Sequence, residues 1–130
     1  MANINRDYIV EINCDFDRQY WKKFELIKRD KPMTFKKDDR NSANFFILVK
    51  GFKPDLKLTM GLLYPIGHKR VEIYEPILKG TQEDIYIFEV VLNNTVLSTP
   101  GTFTYQFFIS DNEGKEIACD IDKLKVKDCL

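Results

Sequence analysis

The feature that most constrains this chain is a two-residue alternation of apolar side chains that recurs along it. Leu56, Leu58, Met60, Leu62 and Tyr64 alternate with Lys57, Thr59, Gly61 and Leu63. Tyr86, Phe88, Val90 and Leu92 alternate with Ile87, Glu89 and Val91, and Phe103, Tyr105, Phe107 and Ile109 with Thr102, Thr104, Gln106, Phe108 and Ser110. Successive side chains of a strand point to opposite faces, so each run buries one face and leaves the other. Aromatic and β-branched residues suit that pleated surface. A helical bundle, whose apolar residues recur every three or four positions, is not what this pattern specifies.

Shorter segments extend the picture. Asn44–Lys50 is apolar on both faces and ends at Gly51, which predicts a central strand covered on both sides. Val71–Glu75 predicts another strand, stopped by Pro76, with a loop at Lys79-Gly80-Thr81. Asn93-Asn94 and Thr99-Pro100-Gly101 break the chain, and Asp111-Asn112-Glu113-Gly114 predicts a tight hairpin loop. Ile117, Cys119 and Ile121 return on the partner strand; Leu124 and Val126 follow in the opposite phase, so a bulge is expected near Asp122-Lys123. Upstream, Tyr8, Val10, Ile12 and Cys14 alternate as a strand. Residues 15–28 fit two templates: Phe16, Tyr20, Phe24 and Ile27 at helical spacing, or a strand from about Lys23. A short helical turn followed by a strand is the reading adopted. Some seven strands without long helices predict one all-β domain, an antiparallel β-sandwich with an N-terminal extension.

At 130 residues, 44% hydrophobic and 31% charged, the chain can bury a substantial core and does not have the composition of a disordered segment. Its apolar runs, such as Phe45–Val49, are too short for a bilayer-spanning helix, and the N-terminus lacks the basic and apolar segments of a signal peptide. Twenty basic and twenty acidic residues cancel, which argues against whole-chain attraction to nucleic acid or an anionic membrane. Residues 1–80 hold sixteen Lys/Arg against eleven Asp/Glu, a net of +5, and residues 81–130 hold four against nine, a net of −5. That asymmetry fits solvated faces and, secondarily, packing against a partner of opposite sign. Cys14, Cys119 and Cys129 form no Cys-x-x-Cys pair, and His68 cannot complete a zinc site with them. Cys14 and Cys119 both sit in apolar contexts that favour buried free thiols, although a bridge between them on neighbouring strands stays open. A cytosolic folding environment fits best.

No catalytic constellation emerges. His68 lies in the polar turn Pro65–Arg70, and there is no nucleophile elbow or phosphate-cradling glycine loop. Asp38-Asp39 and Asp15-Phe16-Asp17 sit beside lysines and arginines in turn-like segments, so solvated turns are expected rather than a glycosidase pair. Neither an enzyme nor a cofactor nor a metal is expected. Arg18, Tyr20 and Trp21, with Tyr8, are the candidate protein-interface residues, because Trp, Tyr and Arg anchor interfaces.

Several of these segments, taken in order, carry a resemblance. Phe35-Lys36-Lys37-Asp38-Asp39 precedes the apolar strand Phe45–Val49; Leu56–Tyr64, Val71–Ile77 and Ile85–Leu92 follow; then Pro100-Gly101-Thr102-Phe103-Thr104-Tyr105-Gln106-Phe107 and Asp111–Gly114. This order resembles the immunoglobulin-like N-terminal domain of baseplate upper proteins from siphophages of Gram-positive bacteria, lactococcal phages in particular, over residues 24–127. The resemblance implies an immunoglobulin-like β-sandwich over residues 24–130, preceded by an arm, residues 1–23. It implies a structural role in the virion: attachment to the distal tail protein at the tail hub, in a ring of copies, after folding in the host cytoplasm. Receptor-binding proteins would be carried through a downstream helical stalk. The sequence shows no heptads, so it is expected to be the N-terminal part of a longer protein. The arm, with Tyr8, Arg18, Tyr20 and Trp21, is expected to pack on the hub or a neighbouring copy.

A rival expectation is a carbohydrate-binding β-sandwich that recognises host-surface saccharide through Tyr64, Tyr74 or Tyr86. Alternation places Tyr64 and Tyr86 on inward faces, which counts against them, and leaves Tyr74 undecided.

Overall fold

A computed structural model describes residues 8–14, 24–39 and 44–128. Two five-stranded sheets face each other as a sandwich. The first has the order β2-β1-β4-β8-β7, built from β1 (Ile9–Cys14), β2 (Phe24–Leu26), β4 (Asn44–Lys50), β7 (Ile77–Gln82) and β8 (Ile85–Val91). The second has the order β3-β10-β9-β5-β6, built from β3 (Met33–Lys36), β5 (Lys57–Leu63), β6 (Val71–Tyr74), β9 (Gly101–Ser110) and β10 (Glu116–Lys127). A single helical turn, α1 (Asn94–Leu97), joins β8 to β9.

The alternating runs become the inner faces. Leu58, Met60 and Leu62 of β5 and Phe103, Tyr105, Phe107 and Ile109 of β9 meet Phe45, Ile47 and Val49 of β4 and Val10 and Ile12 of β1 in one buried cluster. Tyr105 sits among Phe45, at 6.3 Å between ring centroids, and Phe107, at 5.4 Å in an edge-on contact. Chain direction then sorts the elements: β5–β6, β7–β8 and β9–β10 are antiparallel neighbours, and the connections between these pairs cross from sheet to sheet.

The sheets are mixed rather than wholly antiparallel. β1 runs parallel to β4, and β3 runs parallel to β10, with Met33 opposite Leu124 and Lys36 opposite Lys127. Alternation reports which face a residue takes but not strand direction, so the parallel pairs were not legible. β3 itself, only four residues long, falls below the length at which alternation is distinctive.

Two local expectations are corrected, and a third, the break at Asn93-Asn94, holds. Lys79-Gly80-Thr81 lies within strand β7, where the register shifts between Leu78 and Gly80; the bulge absorbs the polar and glycine residues that suggested a loop. Asn93 does more than break β8: its Oδ1 accepts the Val96 N–H at 3.1 Å and caps α1, whose Val96 and Leu97 are buried. The irregularity of β10 lies between Glu116 and Ala118, and residues 118–126 run in unbroken register with β9. Leu124 and Val126 therefore fix the inward phase, Asp122 takes an inner-face position opposite Tyr105, and Ile121 is left outside at 49% exposure. An acid in an inward position disguised the phase. The strand expected from about Lys23 is β2, whereas the helical turn expected before it lies outside the described residues.

Candidate functional site

Two kinds of feature stand out: a polar corner at one end of the sandwich, and apolar residues on the outer faces of both sheets. The corner is built on Glu72. Leu62 pairs with Glu72 across β5–β6, which turns this acid toward the interior at the edge of the sheet. Its carboxylate, 12% exposed, accepts hydrogen bonds from the Tyr64 and Tyr74 hydroxyls, each at 3.0 Å, and from Asn93 Nδ2 at 2.6 Å. Arg70 Nη2 completes the set at 3.0 Å, and its guanidinium lies 5.3 Å from the centroid of the Tyr64 ring. Burial pushes the Tyr64 phenol up to about 12, with the Glu72 hydrogen bond adding to the shift and Arg70 opposing it. The Tyr74 phenol is raised further, mainly by burial, while the Asn93 N–H works against the shift. Both phenols therefore act as donors to one saturated carboxylate. The arrangement ties β6 to the corner between β8 and α1; it presents no open base or nucleophile.

The outer face of the second sheet is apolar at one end and basic at the other. Register aligns Leu63 with Val71 and Gly61 with Ile73 and Gln106. Val71 is 60% exposed and Ile73 66%, and Leu63 and Ile121 are also exposed. Gly61 is the trough of this patch: a Cβ there would meet the Phe108 ring at 3.4 Å and Ile73 Cδ1 at 3.8 Å, so the two side chains flank a bare stretch of backbone. Along β10 and β3, Lys123, Lys125, Lys127 and Lys36 share the same outer face, beside Thr104 and Thr102. Contiguous apolar surface of this kind marks interaction sites on otherwise soluble proteins.

The first sheet is mixed outside, with Glu11, Lys50 and Glu89 among its apolar residues. Asn44–Lys50 is indeed a central strand, between β1 and β8, but only its inner face is fully covered; Phe46 and Leu48 are partly exposed on the outer side. Across to β8, Leu48 faces Ile87, Phe46 faces Glu89 and Lys50 faces Ile85, with Val91 and Ile77 exposed on the same face. Phe46 and Leu48 depart from the expectation that apolar residues in both phases of Asn44–Lys50 mean cover on both faces.

A third feature is a cleft of 490 Å³ between the sheets, at the side closed by β5, β7 and β8. Phe52, Tyr86 and Phe88 line it, with Phe52 at 5.4 Å from Tyr86 and 5.2 Å from Phe88, and the Lys57–Glu75 ion pair at 2.9 Å lies at its rim.

The residues expected at an interface divide. Tyr8 is anchored inside: its ring stacks on Phe35 at 4.8 Å and its hydroxyl donates to the Thr34 carbonyl at 2.9 Å, joining the start of β1 to β3 of the opposite sheet. Arg18, Tyr20 and Trp21 lie outside the described residues. Tyr64 is buried and Tyr74 half-buried, both committed to Glu72, and Tyr86 packs against the core. His68 is exposed in its turn, where its N–H donates to the Pro65 carbonyl at 3.0 Å. Asp38 and Asp39 occupy a turn closed by Asp39 N–H to the Lys36 carbonyl. Cys14 is a free buried thiol, pushed up to about 12 by burial. It lies in the first sheet, whereas residue 119 is on β10 of the second, so the two are not on neighbouring strands. Among the described residues, no group of three or more His, Cys, Asp or Glu could hold a metal ion. Compared with known proteins, the chain matches no family model and no curated sequence.

Proposed function

We propose that this chain is an immunoglobulin-like β-sandwich with a structural role in a phage tail baseplate, docking on the distal tail protein hub in company with copies of itself. In such an assembly, receptor-binding proteins are held through other parts of the baseplate upper protein. The strand order supports the fold half of this reading. β1-β4-β8-β7 follows the A-B-E-D order of immunoglobulin sheets, β10-β9-β5-β6 follows G-F-C-C′, and the connections cross between sheets in the matching sequence. The parallel β1–β4 pair and the added strand β2 are departures from that scheme.

The observation that carries the function is the outer face of the second sheet, where Leu63, Val71, Ile73, Phe108 and Ile121 lie beside the lysines of β10. An apolar patch with a basic margin suits a protein surface with an apolar centre and an acidic rim. The test is to mix the chain with a phage distal tail protein and measure the mass of any complex by multi-angle light scattering. Several copies per hub are expected, and Ile73→Glu is expected to abolish the complex without lowering the melting temperature. Absence of any complex with the unmodified chain overturns the reading.

The cleft supports a second reading, a saccharide-binding module. Tyr86 and Phe52 give it an aromatic wall and Lys57–Glu75 a polar rim, a mixture suited to a sugar ring. Calorimetric titration with host cell-wall polysaccharide decides it: heat that disappears in Tyr86→Ala favours this module, and no heat removes it.

A further inference from the structure

We propose that the outer edge of β7, together with the cleft beside it, binds an extended, uncharged segment of another polypeptide as an added strand whose alternate apolar side chains enter the cleft. β7 ends the first sheet: β8 lies on one side of it, and among the described residues no strand pairs with the other. Every residue of β7 except Gly80 is exposed. An edge strand turns the N–H and C=O of alternate residues away from its sheet, where they template a further strand. The inner side of this edge is open as well. Leu78 faces inward, opposite the buried Phe88 in register, yet it is 49% exposed because the sheet ends at β7 and the cleft opens there. Leu78, Thr81, Tyr86 and Phe88 line the cleft, with Phe52 and Leu56 from the β4–β5 connection.

Elsewhere along the sides of the sandwich, side chains bridge the two sheets. On the β2–β3 side, Tyr8 donates to the Thr34 carbonyl at 2.9 Å and Lys28 Nζ to the Ile121 carbonyl at 2.6 Å. On the β6–β7 side, Glu72 joins Tyr64 and Tyr74 to Asn93 at one end, and the cleft opens at the other. A strand added to β7 lies about 4.8 Å beyond it, and its side chains at every second position, about 6.8 Å apart, point toward the cleft beside Leu78 and Thr81. In such additions main-chain hydrogen bonds supply affinity, and pockets for alternate side chains supply specificity. The 490 Å³ cleft, walled by aromatic and aliphatic side chains, accepts groups such as those of leucine or phenylalanine. The two ion pairs beside the edge, Lys57–Glu75 at 2.9 Å and Lys79–Glu89 at 3.8 Å, are each neutral, so the segment that fits is uncharged. A saccharide has no row of amide groups to offer the edge; edge and cleft together favour a polypeptide. The bulge between Leu78 and Gly80 discourages pairing of β7 with a second β7, so the cleft rather than the edge alone selects the partner.

This edge belongs to the first sheet and the face assigned to the hub to the second, so the two sites succeed or fail separately. The test selects random decapeptides, displayed on ribosomes, against the full chain. Chains carrying Leu78→Arg or Thr81→Arg, both altered at exposed positions and so expected to keep the fold, serve as counter-targets. Selected peptides are expected to carry uncharged apolar residues at alternate positions and to bind the unmodified chain about tenfold or more tighter than either variant. Only alternate amides of an added strand face β7. Methylating those amides in a selected peptide is therefore expected to weaken binding by about tenfold or more, and methylating the intervening ones to leave it within about twofold. Absence of any peptide that discriminates against both variants overturns the proposal, as does a peptide weakened equally by methylation at either set of amides. Self-association of the chain that Leu78→Arg abolishes gives the edge to a second copy and overturns it too.

Discussion

Replacing Glu72 with alanine removes the acceptor that Tyr64, Tyr74, Asn93 and Arg70 share. Hydrogen bonds to a charged group contribute about 1.5–3 kcal/mol each, and breaking a buried charged pair costs about 3–5 kcal/mol. Several reductions apply here. Arg70 is about half exposed and contributes little to the total. Water can reach the vacated volume at the sheet edge and solvate Asn93. What remains is two phenols deprived of their acceptor, one of them buried, and we expect a loss of about 3 kcal/mol. For 130 residues, an unfolding entropy of about 2.1 cal/mol/K per residue converts this into a fall in melting temperature of about 11 °C. Thermal unfolding followed by circular dichroism reads it directly. Glu72→Gln keeps one acceptor oxygen without the charge and is expected to lose about half as much. A Glu72→Ala protein that melts within about 2 °C of the parent would refute the claim that this network holds β6 to the β8–α1 corner.

Other consequences are as direct. Tyr64 holds its proton to about 12 when folded, above its ordinary value of 10.0, so the unfolded chain loses that proton first. The stabilisation is thus present below pH 10 and is lost as pH rises toward 12; urea midpoints across that window should fall, and less steeply in Tyr64→Phe. Gly51→Ala forces a side chain onto a backbone at φ +82°, with its Cβ 2.3 Å from the Cys14 carbonyl oxygen, and is expected to cost about 3 kcal/mol in urea unfolding. Native-state alkylation at pH 8 with peptide mapping should leave Cys14 unmodified until the protein unfolds, because the thiol is buried and stays protonated. Asn93→Ala removes both the α1 cap and a Glu72 donor, so its cost should exceed the roughly 1 kcal/mol of a cap alone.

How much was legible follows from what side-chain alternation can encode. The inward faces of β5, β8 and β9 were readable residue by residue, since Leu58 to Leu62 and Phe103 to Ile109 each keep one phase against a single core. Where a polar residue takes an inward position, as Asp122 does, the phase reverses on paper and the irregularity is assigned to the wrong place. Glu72 was illegible for the same reason. Its inward orientation makes sense only with Tyr64, Tyr74 and Asn93 around it, and those partners lie up to 21 residues away. The apolar residues of the outer faces were visible as letters, notably in Phe46, Leu48, Ile85 and Ile87. Alternation states that such residues share a side but cannot state what stands opposite them.

The parallel pairing of β3 with β10 has a consequence for how the protein comes into being. Met33 finds its partner at Leu124, about 90 positions later, and Lys37 N–H reaches the Lys127 carbonyl at 2.7 Å. During synthesis, β3 emerges from the ribosome early and must wait, its backbone edge unpaired, until β10 has emerged too. Pairings this distant in sequence are slow to form. The second sheet is therefore completed only after translation has passed β10, and a nascent chain stalled before residue 124 leaves the edge of β3 open to chaperones or to neighbouring strands.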